Sequence, residues 1–364
     1  MKILIVIPND SLGGAEQYLK MVAEYFTKAN VHVFFLQASG TSSWANCKPH
    51  IQLHYPKSNT KLISILRFAL DPAHRKNGEY DLIFTSHVYM TGLIGILLRL
   101  KRIRTTHFIA RESTTIFTRF TGLKLLSYKL FYKWGYKKVD LLICQTQIMK
   151  EQLLAGVPFL AKTTSIQVIP NPIHYALIKE QEREGLPEKL PESYLVSAGR
   201  LIPEKGYDIL INAFALIKSS YPQLKLIILG EGKSRRELTD LIAQLNLDNE
   251  VILKGFVKNV YPYFRRARAC IVSSRVEGFP NVLLQMMSQN SRVVSTTCAG
   301  GIADIPGIYI SNPENIKSLQ MAIQNALQSN GDTQDLFDTF LKARDIASFI
   351  DQCTHFISNK TNRS

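Results

Sequence analysis

The stretch IVSSRVEGFPNVLLQMMSQ, Ile271–Gln289, passes from strand to loop to helix. Its opening residues are small or β-branched and then give way to SSRVEG. Pro280 suits the first turn of a helix, where its missing N–H costs nothing. Asn281 and Gln285 are four apart and share one face of that helix. Glu277 falls in the loop just before it, with Gly278 beside it. A carboxylate there is stabilised by the helix dipole, but the dipole does not explain the glycine. In a parallel α/β sheet a loop at a strand's carboxyl end faces ligand.

The same strand–loop–helix pattern recurs outward in both directions. Short apolar runs at Ile3–Ile7, His32–Leu36, Ile51–His54, Leu82–Thr85, Thr105–Ala110, Leu141–Cys144 and Ile166–Ile169 read as strands. A stretch rich in proline and charge follows, VIPNPIHYALIKEQEREGLPEKLPES. The alternation then restarts at Tyr194–Ser197, Lys225–Leu229, Val251–Lys254, Ala269–Val272, Val293–Thr296 and Gly307–Ile310. Helical patterns lie between, among them Tyr207–Ser219 and Ser234–Leu245. Apolar strands each followed by a helix imply parallel sheets covered on both faces. Two such sets imply an α/β chain of two doubly wound domains, with ligand in the cleft that their strand ends face. The organisation expected is a first domain over 1–172, a linker over 173–192, a second domain over 193–335, and a C-terminal helical stretch over 336–364 that can cross back to brace the first domain.

The 364 residues, 46% of them hydrophobic, suffice for two real cores. Five cysteines stand singly, which argues against a disulfide framework or a paired-cysteine zinc site and suits a reducing cytoplasm. MKILIVIPND has too short an apolar run for a signal peptide and reads as a first strand. Val88–Leu98 is too short to span a bilayer. The net charge of +15 is lopsided: residues 1–180 carry 23 Lys/Arg against 10 Asp/Glu. Within Arg99–Lys138 there are 11 bases and one acid, Glu112. Such a surface attracts phosphates, in nucleic acid or on an anionic membrane. No nucleic-acid recognition motif accompanies the charge, so no nucleic-acid partner is expected.

Several junctions carry candidate chemistry. In SLGGAEQY, Ser11–Tyr18, Gly13 and Gly14 permit close backbone approach to a ligand at a helix N-terminus, though a plain glycine turn reads the same way. The G-x-G-x-x-G spacing of a dinucleotide site is missing, against a nicotinamide dehydrogenase. In AGRLIPEKG, Ala198–Gly206, two cations five apart, Arg200 and Lys205, suit a diphosphate, Arg as a fork and Lys as a point charge. They also fit a surface loop with solvated bases. LGEGKSRREL has Gly230 and Gly232 at a third junction, and KGFV has Gly255 beside Phe256 and Val257 at a fourth, where backbone groups could read a base edge.

The order GGAE, GRL…EKG, G-E-G, G-F-V and SS-x-x-EGFPNVLL resembles the retaining GT-B glycosyltransferases of family 4 over essentially the whole chain, most strongly in residues 196–301. The resemblance implies two Rossmann-like domains facing an interdomain cleft. It implies transfer of a hexose or N-acetylhexosamine from a nucleotide sugar, most often UDP-linked, with retention. Carried over by motif, Arg200 and Lys205 would bind the diphosphate and offset leaving-group charge. Glu277 would hold hydroxyls of the transferred sugar, and position 285 the ribose hydroxyls. The donor would lie along Gly230, Phe256, Val257, Gly278, Phe279, Asn281 and Val282, with Gly13 and Gly14 lining the cleft from the first domain.

Two departures stand out. The family's second glutamate is Gln285 here. An amide accepts at one end and donates at the other, so it can still hold a diol. The expected cost is roughly 1 kcal/mol, about tenfold in donor affinity. In SQNSRVVST, where the family usually has glycine and proline before the strand, Asn290 can take the left-handed cap conformation, so the fold should survive. Gly300 and Gly301 in CAGGI are placed near the donor by the same likeness.

On the first domain, His87 in IFTSHVY and Arg111–Glu112 in HFIARES end strands where family members often place groups near the transferred sugar and acceptor. His87 and Glu112 are therefore catalytic candidates. His87 equally fits a locally satisfied strand-end histidine, and Arg111–Glu112 a local ion pair. No D-x-D triplet occurs, and Arg200 with Lys205 can neutralise a diphosphate, so metal-independent transfer is expected. Activity lost in EDTA and restored by manganese would overturn that.

LKLLSYKLFYKWGYKK, Leu123–Lys138, reads as a helix with Lys129, Lys133 and Lys137 in one stripe and Leu126, Leu130 and Trp134 in another. Such a helix suits an anionic membrane surface and hence a lipid-linked or polysaccharide acceptor, with the protein peripheral on the inner face of the cytoplasmic membrane. It also fits an ordinary amphipathic helix packed on its sheet. Two other readings stay open: a GT-B enzyme with a soluble acceptor, and a catalytically silent nucleotide-sugar-binding protein.

Overall fold

In a computed structural model, placement is described for all residues except 12, 39, 41–43, 45–46, 59, 72–78, 114–115, 183–189 and 362–364. Leu12 of the glycine loop, residues 114–115 of the basic region and 183–189 of the expected linker therefore lie outside the description. The chain divides into two compact units, Met1–Pro172 with Ile346–Ser364, and Ile173–Asp345.

The first unit holds seven strands: β1 (Lys2–Ile7), β2 (Asn30–Phe35), β3 (Ile51–His54), β4 (Tyr80–Thr85), β5 (Thr105–Arg111), β6 (Leu141–Cys144) and β7 (Ser165–Val168). They pair in parallel in the order β3-β2-β1-β4-β5-β6-β7. Alternation along β1 explains why the sheet is covered twice. Ile3, Ile5 and Ile7 join a core with Tyr18, Leu19 and Val22 of the Gly14–Tyr25 helix. Leu4 and Val6 join a second core with Ile94, Leu97 and Tyr132 on the opposite face.

The second unit holds β8 (Tyr194–Ala198), β9 (Lys225–Leu229), β10 (Val251–Gly255), β11 (Ala269–Val272), β12 (Val293–Thr296) and β13 (Tyr309–Ser311). Their parallel order is β10-β9-β8-β11-β12-β13. Again the strands bury both faces: Tyr194 and Val196 lie in one core, Leu195 in the other.

Three features differ from the sequence expectation. The stretch 173–192 contains a helix, Tyr175–Gln181, and belongs to the second unit, because Ile173 and Ile178 are buried in its core. The helical stretch Leu336–Ser358 is interrupted. Gln334–Lys342 packs in the second unit through Phe337 and Leu341. Ile346–Thr361 packs in the first unit through Ile346, Phe349, Ile350, Cys353 and Ile357. At the break Asp345 bridges to Ile173 and accepts from the Tyr175 N–H. Finally, Asn290 is not left-handed; Lys101, Asn246 and Glu314 are the non-glycine residues at positive φ among those described. Its amide nitrogen instead donates to Phe264 O and Ala267 O, both at 2.8 Å, and its oxygen accepts from the Arg292 N–H.

Candidate active site

Each sheet reverses its strand order once. β1 lies between β2 and β4, and β8 lies between β9 and β11. Loops leaving the carboxyl ends of the two strands at such a point diverge and leave a crevice for ligand. Gly13, His87, Arg200, Lys205, Glu277, Gly278 and Phe279 fall on these loops, while Glu112, Gly230, Phe256 and Val257 follow neighbouring strands and Gly14, Asn281, Val282 and Gln285 lie in the helices beyond.

In the second unit the loop after β8 carries Arg200, a short 3-10 turn Pro203–Lys205, and Gly206 at φ 63°. A Cβ on Gly206 would stand 2.2 Å from Ser273 O, so glycine lets this loop press against the loop after β11. Ser273 Oγ donates to Lys205 O at 2.9 Å. Lys205 Nζ donates directly to the Glu277 carboxylate, which also accepts from Ser274 Oγ at 3.0 Å. Both partners are mostly buried, at 17% and 19% side-chain exposure. The Glu277 N–H is fixed on Cys298 O at 2.9 Å.

Arg275 braces this arrangement. Its guanidinium grips the two Asp208 carboxylate oxygens at 2.9 and 2.7 Å, reaches Glu314 at 3.1 Å and donates to Pro203 O. Its backbone N–H donates to Glu204 O. One residue thus joins the loop after β11 to the turn that carries Lys205. The hydrogen bonds to Asp208 hold Arg275 above its ordinary value. Burial pushes the Asp208 carboxyl up, but Arg275 and the backbone outweigh it and hold it below the usual range.

Arg200 is exposed, and no partner for its guanidinium is found among the described residues. At the neighbouring strand ends, a Cβ on Gly230 (φ 142°) would lie 1.9 Å from Gly199 O. The Gly230 N–H meets Gly255 O at 2.7 Å and the Gly199 N–H meets Leu229 O at 2.9 Å, which together stitch β8, β9 and β10 at their carboxyl ends. Phe256 just beyond is 74% exposed, and Val257 is half-buried. Gly278 is half-buried, while the Phe279 ring is buried with the Arg344 guanidinium 5.6 Å from its centre. The Asn281–Met287 helix starts one residue after Pro280, with Asn281, Val282 and Gln285 half-buried. Gln285 Nε2 donates to the Tyr261 hydroxyl at 3.3 Å, which leaves its carbonyl oxygen to accept. Gly301 follows at φ 80°.

In the first unit Gly13 caps and Gly14 opens the Gly14–Tyr25 helix. The Gly13 N–H donates to Glu16 Oε2 at 3.1 Å, and a Cβ on Gly13 would stand 2.6 Å from that oxygen. Glu16 Oε1 lies 2.9 Å from His87 Nε2, across the gap between the loops after β1 and β4. Burial pushes the Glu16 carboxyl up, but the bond to His87, its charge, and the N–H groups of Glu16 and Gly13 outweigh burial and hold it below the ordinary range.

Arg111 and Glu112 do not form the local ion pair that remained an option. Successive strand residues point to opposite faces. Arg111 donates to Ser86 Oγ and Asn171 Oδ1 and stacks over Tyr18. Glu112 accepts from the hydroxyls of Tyr132 at 2.9 Å and Tyr136 at 3.0 Å. At 2% exposure Glu112 is sealed beneath the Gly122–Gly135 helix, and burial raises its carboxyl to about 7. Its partners make it an anchor for that helix rather than a group facing a ligand.

The structure therefore joins Lys205 with Glu277 and His87 with Glu16, keeps Arg200 on the Lys205 loop, and sets Glu112 apart. Glu16 and Arg275 were missed in the sequence. Glu16 had a signal: an acid three residues after the Gly13 cap has capping-box spacing. Arg275 had none, since its partner Asp208 lies 67 residues away. A cavity of about 340 Å³ lined by Lys101, Arg104, Lys138 and Asp140 opens at the amino-terminal edge of the first sheet, away from these loops. Among the described residues no three His, Cys, Asp or Glu side chains gather as metal ligands.

Residues 12–177 match the family model Glycosyltransferase Family 4, and residues 178–338 match Glycosyl transferases group 1. An uncharacterised glycosyltransferase of Methanocaldococcus jannaschii is 33% identical over 200 residues, 53% of this chain and 48% of that protein, so the match spans about half of its length. The N-acetylgalactosamine-N,N'-diacetylbacillosaminyl-diphospho-undecaprenol 4-alpha-N-acetylgalactosaminyltransferase of Campylobacter jejuni is 27% identical over 312 residues, 84% of this chain and 83% of that one. Among solved structures, Anabaena HepE with UDP-glucose superposes with a TM-score of 0.79 at 19% identity, covering 99% of this chain and all of that one. Sucrose-phosphate synthase from Thermosynechococcus elongatus gives 0.77 at 17% identity, covering 100% of both chains.

Proposed function

The chain belongs to the family 4 type glycosyltransferases of the GT-B fold, and from that premise we propose that it moves a hexose or N-acetylhexosamine from a UDP-sugar, with retention, to a lipid-linked or surface-polysaccharide acceptor. The observation that carries this reading is the Lys205–Glu277 pair at the β8/β11 crevice, with the exposed Arg200 on the same loop. Transfer leaves a nucleoside diphosphate with growing negative charge. Fixed cations aimed at that charge stabilise the transition state without reorganising. Arg200 can fork onto the diphosphate and Lys205 can add a point charge. Glu277 is then released from Lys205 to accept from hydroxyls of the sugar, and the Gln285 oxygen accepts from the ribose. No divalent ion is required in this scheme, because the two bases supply the neutralising charge. The UDP-glucose held by the Anabaena neighbour supports the choice of nucleotide.

The acceptor reading rests on the Gly122–Gly135 helix. Leu123, Leu126, Leu130 and Trp134 are all at least half exposed, beside exposed Lys124, Lys129 and Lys133. Lys137 and Lys138 follow in a 3-10 turn. The opposite face sits backbone against backbone on the Val88–Arg99 helix: a Cβ on Gly95 would lie 1.9 Å from Gly135 O. Among the described residues no helix is long and apolar enough to cross a membrane. An exposed apolar stripe edged by lysines suits the plane of an anionic leaflet, where each base contributes about 1 kcal/mol. The Campylobacter relative, named for a diphospho-undecaprenol-linked substrate, and a Rhizobium meliloti relative, named for lipopolysaccharide core biosynthesis, support a lipid-anchored acceptor. The lysine-edged stripe is the reason to seat the enzyme on the inner face of the cytoplasmic membrane.

The test is nucleotide release from a panel of UDP- and GDP-sugars with membrane lipid extract as acceptor. Release from a UDP-sugar that disappears in Glu277→Ala and Lys205→Ala is expected. A folded protein that binds nucleotide sugar and turns over none, with every acceptor fraction supplied, would sink the reading. Co-sedimentation with anionic vesicles, weakened at least tenfold by Lys129→Glu with Lys133→Glu, tests the membrane contact by Arg99–Lys138.

A further inference from the structure

Among the described residues two histidines stand immediately before helices, and they are used differently. His174 Nδ1 accepts from the Leu177 N–H at 3.1 Å and caps its own helix. His87 stands at the same position before Val88–Arg99, yet its ring makes no cap bond. A side-chain cap satisfies an orphan N–H of a helix's first turn, so the Val88–Arg99 helix forgoes a stabilisation that His174 supplies elsewhere. The His87 ring instead turns Nε2 to Glu16, in the first turn of the Gly14–Tyr25 helix that follows β1.

Glu16 leaves little freedom in this contact. One carboxylate oxygen takes the Gly13 N–H, and the other takes His87. An ionised carboxylate only accepts, so Nε2 must carry the hydrogen. When the ring is neutral, Nδ1 then presents a lone pair. No partner for Nδ1 is found among the described residues, and the side chain keeps 21% of its exposure. The ring stands at the point where the first sheet reverses strand order, the ligand position of such a sheet.

We propose that Glu16 is a positioning residue that holds the His87 imidazole with Nδ1 free to accept from a sugar hydroxyl. Gly13 is the glycine that leaves room for it, since a Cβ there would stand 2.6 Å from the Glu16 carboxylate oxygen and push that carboxylate out of place. The inference rests on the glycosyl-transfer reading above and assigns the acid of GGAE a part in it. The hydroxyl can belong to the donor sugar or to the acceptor, and the kinetics separate the two.

Glu16→Ala and His87→Ala are each expected to lower kcat/KM tenfold to hundredfold, the loss common when the partner that orients a functional histidine is removed. The double variant should lose no more than the worse single one, because both changes remove one unit. Glu16→Gln keeps an oxygen that accepts from Nε2–H and should recover most of the loss. A rise in donor KM assigns the hydroxyl to the donor, and a rise in acceptor KM assigns it to the acceptor. Nitrogen NMR of the His87 ring should show hydrogen on Nε2 in the wild type and a mixture of forms in Glu16→Ala. Multiplicative losses, or a Glu16→Ala enzyme that loses stability but keeps its kcat/KM per folded molecule, would overturn the proposal while Glu277→Ala still tests the parent reading. A wild type without turnover would sink that parent reading instead. The His87 Nδ1 signal on adding UDP-glucose, UDP-N-acetylglucosamine or lipid extract then decides alone: a shift with any of them supports the positioning role, and none refutes it.

Discussion

The two sheets each set an acid against a base where their strand order reverses, but they wire the pair in opposite senses. In the second unit the first loop brings the base, Lys205, and the second brings the acid, Glu277. In the first unit the helix that follows the first loop brings the acid, Glu16, and the second loop the base, His87. Their surroundings differ as much. Lys205–Glu277 is clamped by Ser273, Ser274 and the Arg275–Asp208 fork. Glu16–His87 has the added support of backbone N–H groups alone, those of Gly13 and of Glu16 itself. A diphosphate needs charges that do not move, and a hydroxyl needs one well-aimed acceptor. The braced loop that carries Lys205 suits the first task and the lightly held ring the second.

That contrast can be broken most sharply in the second unit. Glu277→Ala or Lys205→Ala should cut kcat/KM for nucleotide release by about a hundredfold to a thousandfold, the range for removing a fixed electrostatic group. Calorimetry should show both variants folded. Equal, tenfold effects in the two units would erase the distinction.

Arg275→Ala touches no ligand in this scheme, yet it frees the turn that carries Lys205. Its loss should cost about 1–2 kcal/mol of stability in urea titration and roughly tenfold in kcat/KM. An unchanged rate would mean that the serines alone hold the pair.

Gln285→Glu tests the smaller margin of the same unit. Donor affinity measured by calorimetry should rise about tenfold, since a charged acceptor replaces a neutral one. Unchanged affinity would mean that the bond to Tyr261 already places the carbonyl oxygen as well as a carboxylate would sit.

In the first unit the buried Glu112 gives a pH signature instead. Its carboxyl is raised to about 7 in the folded chain and titrates near its ordinary value once unfolded. Between those values the folded state binds the extra proton, so stability falls as pH rises from about 4.5 to 7 and levels off above. Urea unfolding at pH 5 and pH 8 should show that fall in the wild type and a smaller one in Glu112→Gln. A wild type that gained stability over this window would show that Tyr132 and Tyr136 favour the ionised form more than burial opposes it.

Much of this frame was legible from residues alone. Each strand is a short apolar run closed by glycine, proline or a polar loop, so period and punctuation located all thirteen described strands to within two residues. Lys205 and Glu277 were legible because both stand in loops at strand ends. What could not be read was pairing across distance. Glu16 meets His87 71 positions away, and nothing local marks Arg275 as the partner of Asp208. Adjacent charges misled where they seemed plainest: Arg111 and Glu112 are neighbours in sequence but face opposite sides of a strand. Asn290 shows a subtler limit, because an asparagine can end a segment by its side-chain hydrogen bonds as readily as by a left-handed backbone.

The Ile346–Thr361 helix has a consequence for how the chain is made. Its buried residues complete a core begun by Ile3, Ile5 and Ile7. During synthesis the ribosome must deliver the whole of Ile173–Asp345 between the two halves of that core. The second unit can close as soon as its own residues emerge, while the first waits with an apolar face uncovered. The usual order of N-terminal domain first is thereby reversed for the final step. The nascent first unit is the species most in need of a chaperone, and its last contacts join residues more than three hundred positions apart.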